Sequence, residues 1–238
     1  GDYDFYTLTS TEANVMNFIL NLNHSDETKR KLFRNRDFRA ALSMSLDRQT
    51  LIDAVLVSQG APAQPSIKPD DPLYNEQLAG QFTEYDIDKA NALLDVIIPK
   101  RDDQNFRLDE AGRRVSIIFE IDQARPIFLD FFQLAIPMFQ AVGIDAQLRT
   151  MDRSLWETRV RRGRSFDATA HQFGANGGVA AMLDPRYYAP TDNNAVYGPA
   201  WSLWYVDPNN PSAEEPPEET RRGQPAGRDE ADPAGGRR

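Results

Sequence analysis

Between Val115 and Phe173 the chain alternates strand-like and helix-like patterns with short links, and this alternation restricts the fold more than any other feature. Val115 to Ile121 is an apolar run of strand length. Pro126 suits the first turn of a helix whose broad apolar face is Phe128, Phe131, Phe132, Ala135, Phe139 and Val142. Pro137 removes one backbone donor and should bend that helix, and Gly143 ends it. From Ile144 to Thr150, Ile144, Ala146 and Leu148 alternate with Asp145, Gln147 and Arg149, the period of a half-buried strand. Ser154-Leu155-Trp156-Glu157 reads as a capping box opening a second helix that Gly163 closes. Phe166 to Phe173 then supplies a third strand. Strand, helix, strand, helix, strand with short links implies right-handed crossovers, hence an α/β fold with a partly parallel sheet flanked by helices.

Upstream, Phe5–Leu8 and Val15–Leu22 are apolar enough for strands. Asn35 is an N-cap for a helix that places Phe38, Ala41 and Leu42 on one face. Asp47 caps the next, with Leu51, Ile52, Val55 and Leu56 buried and Gly60 as its stop. Ala61 to Pro72 holds four prolines and no periodicity, an extended loop. Asp86 caps a short helix with Ala90, Leu93 and Leu94 inward. After Phe173 the chain reads as loop, rich in aromatics. Residues 1–211 therefore form the folded unit, and 212–238, made of Glu, Pro, Gly, Ala and Arg with no large apolar residue, form a tail expected to be disordered.

Charge narrows the function classes. The net charge is −9, of which Ser212 to Arg238, with seven acids and five bases, holds −2. The folded part is thus itself acidic, which argues against nucleic acid as a partner. There is no cysteine, so no disulfide, thiolate or cysteine-ligated metal chemistry. No apolar run approaches the ~20 residues of a membrane span, so no stable membrane insertion is expected. Opening on Gly1-Asp2-Tyr3-Asp4, without a signal peptide, the chain reads as a fragment.

Catalytic motifs are missing: there is no Gly-x-Ser-x-Gly elbow, no Walker loop and no His-Glu-x-x-His helix. His24 and His171 stand too far apart in sequence to imply a shared metal, and neither a metal nor a cofactor is expected. His171 reads as a strand residue with a satisfied hydrogen bond or as a donor facing a cleft. Gly174-Ala175-Asn176-Gly177-Gly178 is a glycine-rich turn or, at the carboxyl end of a parallel strand, a ligand loop. Trp156 reads as core, whereas Trp201 and Trp204, in a Pro/Gly/Asn-rich stretch, are core or line a cleft. The basic cluster Arg159-Val160-Arg161-Arg162-Gly163-Arg164 is read as complementing a helix C-terminus.

Several stretches in order carry a family resemblance. Arg39-Ala40-Ala41-Leu42 leads through Leu46-Asp47-Arg48 to Gly60-Ala61-Pro62-Ala63; Tyr85-Asp86 leads through Lys89-Ala90 to Leu93-Leu94; Val142-Gly143-Ile144 enters a strand. From about Tyr6 to Pro208 the chain resembles the family 5 extracellular solute-binding proteins, the dipeptide/oligopeptide-binding group. The resemblance implies the second lobe of a type II periplasmic-binding-protein clamshell. It also implies a monomer outside the cytoplasmic membrane that captures peptides, opines or oligosaccharides and delivers them to the permease subunits of an ABC importer. The tail from Glu219 matches nothing in the family, and a shifted or truncated reading frame would account for it. Peptide binders often carry an aspartate, for the peptide's amino terminus, where this chain has Asn176; a neutral amide cannot form that ion pair. The expected ligand-binding residues are Phe173, Gly174, Asn176, His171, Trp201 and Trp204. The competing expectations are a hydrolase-like α/β enzyme with its site near Phe173–Gly178, and an interaction module that has lost ligand binding.

Overall fold

The structure is a computed structural model that describes residues 14–173 and 185–221. Its centre is β2 (Ser116–Asp122), the strand expected from the Val115–Ile121 run. β3 (Asp145–Met151) lies parallel to it from Ser116 opposite Asp145 to Asp122 opposite Met151. On its other side β4 (Ala168–Phe173) is also parallel, with Phe119 opposite Ala168 and Glu120 opposite Thr169. β1 (Asn14–Leu20) completes the sheet antiparallel to β4, giving the order β1-β4-β2-β3. The parallel β2, β3 and β4 agree with the expectation, and the antiparallel edge strand makes the sheet mixed. Phe5–Leu8 lies outside the described residues.

Two layers of helix cover the sheet. On one face α6 (Pro126–Ala141) begins with Pro126 at its first turn and buries Phe128, Phe131, Phe132, Ala135 and Phe139. Phe119 of β2 stacks on Phe139 at 5.4 Å and 15° and meets Phe132 at 4.7 Å, while Phe18 of β1 stands edge-on to Phe119, Phe132 and Phe139. Such offset and edge-on pairs are the favoured aromatic geometries. Gly143 ends the turn after α6 at φ +87°, a left-handed conformation that suits glycine. The same face carries α2 (Arg36–Met44), α3 (Arg48–Val55) and α5 (Ile87–Ile97). Their caps are the expected ones: Asn35 Oδ1 accepts from Phe38 N at 3.0 Å, Asp47 Oδ1 from Thr50 N at 3.0 Å, and Asp86 Oδ1 from Lys89 N at 2.8 Å. α3 stops at Val55, ahead of Gly60, because Val57 and Ser58 already adopt positive φ.

On the opposite face Trp156, Val160, Phe166, Met151 and Val196 form a smaller core against Ile19. The capping box expected at Ser154 is corrected. Helix α7 (Arg153–Trp156) is capped by Asp152, whose Oδ1 accepts from Ser154 N at 2.9 Å and Leu155 N at 3.1 Å. Asp152 supplies the acceptor two residues earlier, and Glu157 turns instead to Arg153 and Arg161. The helix continues as a π-helical turn, Glu157–Arg161. The basic cluster that follows is used in ion pairs: Arg159 reaches Glu120, and Arg164 reaches Glu214 at 3.1 Å.

Three helices were not legible as such: α1 (Glu27–Arg34), α4 (Glu76–Gly80) and α8 (Pro199–Val206). α1 is amphipathic but mostly charged, burying only Phe33, and is capped by Asp26. α8 starts with Pro199 at a first-turn position, so Trp201 and Trp204 lie on a helix and not in a loop. Beyond Pro211 the described chain continues to α9 (Glu218–Arg221), with Glu214 bonded to Arg34 and Arg164 and its amide donating to Ala200 O at 3.1 Å. Residues 222–238 lie outside the described residues.

A buried polar knot locks β1, α1, β2 and β4 together. Asp167, at the entry to β4, takes His24 Nε2 at 2.9 Å, Lys29 Nζ at 2.6 Å and the Ile118 amide at 3.0 Å. His24 Nδ1 accepts from the Asp26 amide at 2.9 Å, which leaves Nε2 as the nitrogen that donates to Asp167.

Candidate functional site

Because β2 and β4 are parallel, their carboxyl ends open on the same edge of the sheet, where α/β sheets expose their connecting loops. Asp122 ends β2; its Oδ1 accepts from the Ala124 amide at 3.0 Å and its Oδ2 from Arg153 at 3.1 Å. The turn after β2 presents Arg125, which donates to Gln172 Oε1 at 2.6 Å and so joins the loop to the end of β4. Beside it His171 stacks on Trp156 with centroids 6.1 Å apart and planes at 26°. Trp156 is anchored in turn by Nε1 donating to Thr169 Oγ1 at 3.0 Å and Glu120 O at 3.2 Å.

The electrostatics of this rim are nearly closed. Burial pushes the His171 imidazole below its ordinary value, and the cations Arg125, Arg161 and Arg153 push it the same way, against the Gln172 carbonyl. His171 is therefore a neutral ring at neutral pH. Its Nδ1 stands 2.7 Å from Gln172 O, which makes Nδ1 the donor and Nε2 an acceptor with no hydrogen-bond partner among the described residues. Deeper, the buried Glu120 carboxylate is matched by Arg149 at 3.0 Å and by Arg159. The rim can stack and hydrogen-bond a polar solute, and among the described residues it presents no nucleophile held by a base.

The expected site residues separate into two places. His171 and Phe173 belong to the carboxyl end of β4, Phe173 opposite Asn14. Gly174 and Asn176 lie outside the described residues. Trp201 is elsewhere: the amides of Ala200 and Trp201 donate to Asn23 Oδ1 at 3.1 and 3.3 Å, and Asn23 follows the far end of β1. That end neighbours the start of β4, since Asn21 N donates to Asp167 O at 2.9 Å. At roughly 3.3 Å per residue, the length of β4 separates it from Phe173 by about 20 Å. Trp201 is buried, with the Arg34 guanidinium 5.1 Å over its ring; Trp204 is half-buried and edge-on to Tyr205. Asp122, Arg125, Arg153 and Gln172 were missed as rim residues. Asp122 and Arg125 follow a strand in a βαβ unit, which was the available signal; Arg153 is brought in only by the crossover.

Comparison with known proteins bears on this geometry. A family profile described as "Bacterial extracellular solute-binding proteins, family 5 Middle" matches residues 2–195. The chain belongs to that family. Among solved structures, this family 5 member is similar to the oligopeptide-binding protein OppA, with 25% identity and a TM-score of 0.78, over 89% of this chain and 35% of that one. The Bacillus subtilis oligopeptide-binding protein AppA, solved with a nonapeptide, shares the fold at TM-score 0.60 and 20% identity, over 80% of this chain and 36% of that one. So does the periplasmic binding protein MelB of Agrobacterium fabrum, solved with stachyose, at TM-score 0.60 and 19% identity, over 74% and 28%. A probable ABC transporter-binding protein of Deinococcus radiodurans is 27% identical over 109 residues, 44% of this chain and 18% of that protein. The chain thus spans about a third of the length of OppA and less of the Deinococcus protein. No helix among the described residues is long and apolar enough to cross a membrane.

Proposed function

We propose that this chain forms one jaw of the capture subunit of an ABC importer, working outside the cytoplasmic membrane and handing its solute to the permease. The jaw is the rim at the carboxyl ends of β2 and β4, with His171 and Phe173 at the end of β4 and Asp122 and Arg125 framing it; Gly174 and Asn176, which follow in sequence, are the further residues we assign to solute binding. A solute held between this jaw and a second lobe gains contacts only in the closed state, and that difference drives closure. The observation that carries the reading is the His171 acceptor, oriented by Trp156 and unengaged among the described residues, at a strand end of a family 5 fold.

The charge balance favours a neutral polar solute. Asp122 is engaged by Arg153, and in sequence Asn176 is the nearest match to the aspartate that peptide binders of this family often carry for a free amine. An oligosaccharide or an end-blocked peptide fits this better than a peptide with a free amino terminus. The test is an amide-resolved NMR titration of the chain with stachyose and with a blocked and an unblocked peptide. Shifts should centre on Asp122–Arg125 and His171–Asn176 at millimolar solute and fade in His171→Ala. Sub-micromolar affinity, or shifts confined to other parts of the chain, would contradict a single open jaw at this edge.

A further inference from the structure

Beneath β1, on the face that α6 covers, lies an open cavity of about 580 Å³ whose lining includes no residue of β4 and none of the turn after β2. Small-molecule sites span roughly 300–1,000 Å³. Its floor is aromatic, made by Phe18, Phe119, Phe131 and Phe139. Phe119 and Phe139 are each only 1% exposed and close the bottom, so the apolar surface a ligand can reach is that of Met16, Phe18, Leu20, Leu56 and Phe82, all half-buried.

The walls are charged in one sense only. Among the described residues, Arg36, Arg39 and Arg48 line the cavity and no aspartate or glutamate does, in a chain of net charge −9. None of the three has an ion pair among the described residues. Arg39 donates to Phe33 O at 2.7 Å, and Arg36 lies 5.1 Å over the Phe82 ring. Arg48 donates to Ser43 O at 2.7 Å, Ser43 Oγ at 2.6 Å and Thr83 O at 3.5 Å. Glu84 acts on Arg48 from a distance, while its carboxylate holds Lys89 at 2.8 Å. Burial, and then repulsion by Arg36, lower Arg39 from the ordinary arginine value; burial lowers Arg48 to about 10. Cations gathered at an apolar hollow without a counter-ion are complementary to an anion that carries an apolar body.

We propose that this cavity is a second binding site, independent of the solute rim, for a free single-chain fatty acid whose alkyl chain lies against Met16, Phe18, Leu20, Leu56 and Phe82 and whose carboxylate meets Arg36 and Arg39. Arg48, tied to Ser43, holds the wall in shape.

The test is displacement of 1-anilinonaphthalene-8-sulfonate from the full chain by octanoate, decanoate and dodecanoate below their micellar concentrations, with dodecanol as the neutral control. Affinity should rise about fourfold per methylene, the increment for burying a CH₂, until the cavity is full. Dodecanol should bind at least tenfold more weakly than dodecanoate, and the double variant Arg36→Gln/Arg39→Gln should erase that difference without weakening dodecanol. Arg36 is exposed, so Arg36→Gln alone keeps the fold and should lower dodecanoate affinity at least threefold. Equal affinity for acid and alcohol, no dependence on chain length, unchanged binding to Arg36→Gln, or binding only to vesicles of anionic phospholipid would each overturn the proposal. Stachyose should not compete with dodecanoate, so either site can fail without the other.

Discussion

Replacing Asp167 with asparagine tests whether the polar knot under the sheet holds β1 and α1 in place. The carboxylate is buried, and the substitution leaves its three donors, His24, Lys29 and the Ile118 amide, without a charged acceptor. Removing one partner of a buried ion pair costs about 3–5 kcal/mol. Lys29 keeps 27% of its side chain in water, so the lower end, about 3 kcal/mol, is expected. With an m-value of about 3 kcal/mol/M, the urea midpoint should fall by about 1 M. The loss should depend on pH. Burial alone would raise the Asp167 carboxyl, but the bonds from His24, Lys29 and Ile118 outweigh it and hold the group below its ordinary value of 3.8. The folded chain then binds this proton less tightly than the unfolded chain. The stabilisation is complete above the ordinary value and disappears as pH falls through the lower folded value. The gap between wild type and Asp167→Asn should therefore narrow in acid. A midpoint shift under about 0.3 M at pH 7, or a gap that does not change in acid, would refute the argument.

Two further substitutions probe the turns. Gly143→Ala should destabilise by at least about 1–2 kcal/mol in the same assay, since a non-glycine residue is strained in the left-handed region. Its Cβ would also stand 2.7 Å from an Arg101 nitrogen and 2.9 Å from Asn105 O. Asn35→Ala should cost about 1 kcal/mol by removing the cap on Phe38 N, and Asn35→Asp should retain most of it.

What could be read from sequence was local. The caps Asn35, Asp47 and Asp86, the Pro126 start and the Gly143 stop act within one turn, and the alternation around Ala146 and Leu148 reports one strand's own faces. The βαβ order follows from these and the handedness of crossovers. Elements whose stability comes from afar were less legible. α1 has one buried residue and is secured by Lys29 on Asp167, 138 positions away. α8 is held by Asn23, 177 positions from Ala200. The candidate site divides in the same way: His171 follows from its place in a strand, but its Trp156 support and the Arg125–Gln172 link exist only once the crossovers close. Trp201 shows the converse, an aromatic in a Pro/Gly-rich stretch whose far-off partner Asn23 decides where it lies.

The pairing of β1 with β4 has a consequence for how the chain is made. Asn17 cannot meet His171 until some 150 intervening residues have been synthesised. Closing such a span costs about 4 kcal/mol from its logarithmic term. On the ribosome the first strand must wait, with the apolar edge formed by Met16, Phe18 and Leu20 uncovered. Acquisition of the sheet should then be a late, slow event, and agents that bind extended apolar segments should retain the nascent chain until β4 emerges.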